Sequence, residues 1–132
     1  MSDMIAFLRA RLDEDEAAAR AVAGHELFDG TGIVVMHTHA SGTRSVTLPS
    51  HVARFAARWD PARVLAEVAA KRAIIELHAP IPEDDLRLRA GSCTSCGDQG
   101  CCGHDEEYPC ATLKAIAQPY ADHPDFDPAW RP

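Results

Sequence analysis

The sequence lacks any apolar run approaching the ~18 residues of a membrane-spanning helix. Its start lacks a basic stretch followed by an apolar core and a small-residue cleavage site, and Asp3 and the acids at 13–16 argue further against export. These absences give the expectation of a cytoplasmic protein with no membrane association. Internal repeats and low-complexity segments are missing as well. So are the glycines of a GxGxxG loop or a P-loop, the HExxH pair and the GxSxG elbow. His104-Asp105-Glu106 supplies a His-x-Glu, but Pro109-Cys110 has no second cysteine behind it, so the zinc-deaminase pattern is incomplete. The reading therefore leans away from an enzyme. Bases are short too: 13 Lys and Arg against 20 Asp and Glu, a net charge of −7. The acids gather at the ends, seven against three bases in residues 1–30 and seven against two in 91–132. Nucleic-acid binders draw most of their affinity from a basic face, so a protein partner is favoured over a nucleic acid.

An apolar fraction of 46% with 25% charged residues describes a soluble globular chain and excludes wholesale disorder. Its 132 residues correspond to one domain, 1–132. The expected fold is mainly α with one small β-hairpin and a C-terminal zinc-knuckle-like loop. Residues 3–23 read as a helix capped by Ser2 or Asp3, with Ile5, Leu8, Leu12, Ala19 and Val22 recurring near helical spacing. The β-branched run from Ile33, the Ser41-Gly42 turn signal and the alternation of Arg44 to Leu48 suggest a hairpin over 32–48. Pro49-Ser50 opens a short helix to Trp59 with Val52, Phe55 and Ala56 inward. Asp60 caps and Pro61 begins a longer helix, 61–78, burying Val64, Leu65, Val68 and Ile75, with Ala69 and Leu77 as further candidates. Prolines at 80 and 82 end it. A last short helix follows at 110–118. The tail to Pro132 reads as extended, its Tyr120, Phe126 and Trp130 lying across the domain.

All five cysteines lie between 93 and 110, among glycines 97, 100 and 103, in a composition that cannot build a packed core. In a reducing compartment such cysteines are ligands or free thiols rather than disulfides. Cys93-Thr94-Ser95-Cys96 is a CxxC, a spacing that brings two sulfurs to one metal, and Gly97 permits the tight turn that follows. Cys110 stands at the start of the last helix, where the dipole favours a thiolate. For a fourth ligand His78 is preferred, because it would pin the end of the long helix to the cysteine loop. Cys101, Cys102 and His104 are the competing choices. The expected cofactor is structural Zn²⁺ on His78, Cys93, Cys96 and Cys110. The alternatives are an iron–sulfur cluster or metal-free redox thiols, and a small zinc hydrolase using Glu106 or Glu107. His25, His37, His39, His51 and His123 read as surface or strand residues.

The opening IAFLRARLDEDE, the helix DPARVLAEVAAKR, the PCATLK segment and the ending PYADHPDF with WRP resemble a family of small actinobacterial and actinophage proteins of unknown function. In that family a His after the Lys-Arg helix, a CxxC and a Pro-Cys recur, matching His78, Cys93, Cys96 and Cys110 here. The resemblance implies the cage with one histidine and implies no activity. A partial likeness to the WhiB-like iron–sulfur regulators stops at the cysteines: their first cysteine position falls on a histidine here, and their Gly-rich Trp turn is absent.

Overall fold

The computed structural model of the chain describes residues 3–22, 33–38, 42–82, 92–96 and 108–131, with the backbone alone for 33–38 and 42–47. The described residues are mainly helical. Helices α1 (Met4–Val22), α2 (Ser50–Arg58), α3 (Pro61–Leu77) and α4 (Ala111–Ala117) follow in chain order. Strands β1 (Ile33–Thr38) and β2 (Gly42–Thr47) pair antiparallel, Ile33 opposite Thr47 and Thr38 opposite Gly42. No helix among the described residues is long and apolar enough to cross a membrane. The chain divides into two compact units, one of residues 1–13 and 69–132, the other of residues 14–68.

In the first unit, the Asp3 carboxylate accepts the Ile5 and Ala6 amides at 3.0 and 3.2 Å and so caps α1. Met4, Phe7, Leu8 and Leu12 form the buried stripe of this half-helix. Ile5 is only half-buried, because Met4 and Phe7 turn the stripe away from it. The tail decides that rotation. The Phe7 ring meets Trp130, His123, Phe126 and Tyr120 with centroids 5.0 to 6.4 Å away. The tail is not extended as expected. It folds into two 3₁₀ turns, Gln118–Tyr120 and Pro128–Trp130, and the Asp127 carboxylate accepts the Ala129 amide at 2.9 Å. Prolines suit both turns, second in one and first in the other, because the opening N–H groups of a helix have no intrahelical acceptor. Ile75 of α3 is buried, while Ala69 and Leu77 are exposed, against the expectation. Two ion pairs tie α3 to α1: Arg9 to Glu76 at 2.7 Å and Arg72 to Asp13 at 2.5 Å. Both are partly exposed, so each is worth at most about 1 kcal/mol.

In the second unit, Ala19 of α1 and Val68 of α3 are buried, Val64 and Leu65 are half-buried, and Val22 is exposed. The Asp60 carboxylate accepts the Arg63 amide at 2.7 Å, the expected cap of α3. Helix α2 departs from its expected orientation: it buries Ala53 and half-buries Ala56, but exposes Val52 and Phe55 (66%), with Trp59 (43%) exposed just past its end. Helical periodicity identifies faces without ranking them, and here the small alanine face goes inward while the aromatic face meets solvent.

Candidate metal centre

Helix α3 ends at Leu77, one residue before His78. Residues 79–81 pair with 92–94: the Thr94 amide donates to the Ala79 carbonyl at 3.0 Å and the Ile81 amide to the Ser92 carbonyl at 2.8 Å, with Pro80 opposite Cys93. This pairing lays the CxxC against the end of α3. Its two middle residues complete the anchor. The Thr94 hydroxyl donates to the Leu77 carbonyl at 2.9 Å, and the Ser95 hydroxyl donates to the same oxygen. The last carbonyls of a helix have no intrahelical partner, and these two hydroxyls meet that need. Cys110 occupies the N-cap position of α4, its carbonyl accepting the Lys114 amide at 3.1 Å, after a cis Tyr108–Pro109 peptide.

The result is a compact cluster. His78 Nδ1 lies 3.1 Å from Cys93 Sγ, 3.7 Å from Cys96 Sγ and 3.4 Å from Cys110 Sγ. One ligand atom from each of the four residues lies within 4.8 Å of every other, an arrangement that could hold a metal ion. Cys93 and Cys110 are buried, His78 and Cys96 half-buried, and the three thiols are free of disulfides. Ordinary zinc bond lengths and a tetrahedral angle place nitrogen and sulfur ligands about 3.6 Å apart, and sulfur pairs about 3.8 Å apart. The nitrogen–sulfur distances found here straddle the first value. One imidazole and three thiolates form a soft donor set, suited to zinc and iron rather than to magnesium or calcium.

Electrostatics at the cluster follow from its burial. Burial pushes the Cys110 thiol upward and nearby Cys93 adds to the rise, while the Leu113 amide, hydrogen-bonded to the sulfur, pulls the other way. The neighbouring Tyr108 phenol is pushed up to about 12, first by burial, then by the negative charges of Asp3, Cys110 and Cys93. Its hydroxyl has no hydrogen-bond partner among the described residues. With Asp3, Arg9 and Pro80 it lines a cavity of about 240 Å³.

The structure thus brings together His78, Cys93, Cys96 and Cys110. The competing ligands Cys101, Cys102 and His104, and the carboxylates Glu106 and Glu107, lie outside the described residues. So do His25 and His39, and His37 is described by its backbone alone. His51 is exposed on α2. His123 is half-buried, not a surface residue, touching Arg11 and Phe7 and accepting the Asp125 amide at 3.1 Å. Sequence reasoning missed the role of Thr94 and Ser95, although hydroxyl residues between two cysteines were the signal, and it missed Tyr108 altogether.

A family model described as a family of unknown function (DUF6221) matches residues 1–132. No curated protein and no solved structure matches the chain.

Proposed function

The chain belongs to the DUF6221 family, a family of unknown function, and from its site we propose that it is a small binding module whose fold is held by one structural zinc ion. His78 Nδ1 and the Sγ atoms of Cys93, Cys96 and Cys110 are the ligands in this reading. The observation that carries it is the mutual approach of those four atoms within 4.8 Å. Four protein donors around one ion leave no position for a reacting water, which is the arrangement of structural rather than hydrolytic zinc. An iron–sulfur cluster distributes its ligands over separate irons, so so compact a set favours a single ion. The ion would join the end of α3, the CxxC segment and the start of α4. The accompanying fold is mainly helical, with one small β-hairpin and a C-terminal knuckle around the metal. Free thiols suit the reducing cytoplasm, and the acidic chain suits a protein partner.

Elemental analysis with an absorption spectrum tests the reading, on protein purified without chelator or metal-affinity tag. One equivalent of zinc and no visible band is the expected result. Iron with a broad visible band would replace the zinc centre by a redox cluster. Protein free of metal that also fails to take up added zinc would overturn the reading.

A further inference from the structure

Helix α2 buries Ala53, half-buries Ala56 and Ala57, and turns Val52 and Phe55 outward. Val52, Phe55 and Trp59 recur at i, i+3 and i+7, so they share one exposed face. The Phe55 and Trp59 rings lie 6.4 Å apart, and the Arg63 guanidinium covers Trp59 at 4.2 Å while holding Glu67 at 3.0 Å. Arg54 and Arg58, one turn apart, flank this stripe and are exposed. The other arginines with described side chains are engaged. Arg9, Arg20, Arg63 and Arg72 hold carboxylates, Arg11 contacts His123 and Phe7, and Arg131 sits over Phe126. Arg54 and Arg58 have no ion pair among the described residues. In a chain of net charge −7, two guanidiniums without a carboxylate among the described residues, beside exposed aromatics, are a local reversal of sign.

We propose that this face of α2 binds an acidic segment of a partner protein, with an apolar side chain of that segment seated over Phe55 and Trp59 and its carboxylates on Arg54 and Arg58. The proposal rests on the reading of the protein as a binding module. It does not depend on the metal assignment, because α2 and the cluster belong to different units. The patch has the composition that dominates protein interfaces, aromatic and arginine side chains. Guanidiniums one turn apart can each take a carboxylate in two parallel hydrogen bonds. A polyphosphate chain or an anionic bilayer needs many cations over a wide surface, whereas this face offers Arg54 and Arg58. A second copy of the same face is disfavoured because arginines would oppose arginines.

Tryptophan emission reads the test, because Trp59 is 43% exposed whereas Trp130 is 4% exposed. The probes are a synthetic peptide of alternating Glu and Leu pairs, its Lys-for-Glu counterpart, an oligothymidylate, and vesicles of phosphatidylcholine with phosphatidylglycerol. The Glu/Leu peptide should give a saturable blue shift that weakens with salt and is lost in Trp59→Phe. Phe55→Ala should weaken binding roughly tenfold or more, and the double reversal Arg54→Glu with Arg58→Glu should abolish it, both with unchanged circular dichroism because the altered side chains face solvent. No shift with the Glu/Leu peptide, an equal shift with the Lys peptide, or tighter binding of oligothymidylate or vesicles would overturn the proposal. A folded double reversal that still binds would do so too. Failure here leaves the zinc content of the protein untouched, and absence of zinc leaves this titration untouched.

Discussion

Replacing His78 by Ala tests the metal centre most directly. The imidazole is half-buried at the end of α3 and makes no described contact with an acid, so its removal acts on the cluster more than on the core. Substituting even an outer partner of a metal ligand weakens metal binding by about 10- to 100-fold, so losing a ligand should exceed about 100-fold. With zinc in excess, a 100-fold loss of affinity removes about 2.7 kcal/mol of ligand-linked stability. For 132 residues the usual unfolding entropy is about 0.28 kcal/mol per kelvin, so Tm should fall by about 10 °C. His78→Cys restores a fourth soft donor and should recover most of the loss. Scanning calorimetry at fixed free zinc, with a chromophoric chelator in competition, measures both quantities. Cys101→Ser and Cys102→Ser should change neither. If His78→Ala keeps its zinc and its Tm while either serine variant releases the metal, the ligand assignment is wrong.

Phe7 is 8% exposed and meets four rings of the tail, so Phe7→Ala should cost about 3–5 kcal/mol and lower Tm by roughly 10–18 °C. Trp130 emission should move to the red in the same variant, and a loss near zero would mean that the tail does not pack there. The raised Cys110 thiol gives opposite pH responses with and without metal. Without metal, the folded thiol keeps its proton above its ordinary value of 9.0, so stability is full below that pH and falls as pH rises through the raised value. Zinc must displace that proton, so loading should release protons at neutral pH and acid should release the metal. Titration in weak and strong buffers measures the proton count. Zinc binding without proton release would contradict thiolate ligation.

The helices were legible because their ends carry local chemistry. Asp60-Pro61 announces α3 to the residue, and α1 and α4 begin and end within a residue or so of the expected positions. Facing was harder to read. On α2 the choice between an alanine side and an aromatic side depends on how closely a neighbour approaches, which no single helix encodes. On α1 the stripe turned toward Phe7 because aromatic residues more than a hundred positions away fold back upon it. The grouping of His78 with three cysteines followed from ligand chemistry. The means of bringing them together did not, since it depends on backbone pairing of 79–81 with 92–94 and on two hydroxyls reaching one carbonyl.

That anchoring has a consequence for finding relatives. The backbone pairing of 79–81 with 92–94 and the hydroxyl contacts fix the two ends of the stretch between residues 82 and 92, and the cluster holds Cys96 and Cys110 on either side of a second stretch. Closing a loop grows costlier only slowly with length, about 0.6 kcal/mol for each doubling. Insertions in either stretch would therefore leave the anchors standing. A pattern that demands fixed gaps between His78, Cys93 and Cys110 would overlook such chains. Three short words in order, a histidine just past a helix, a CxxC with hydroxyls inside it and a Pro-Cys opening the next helix, would find them.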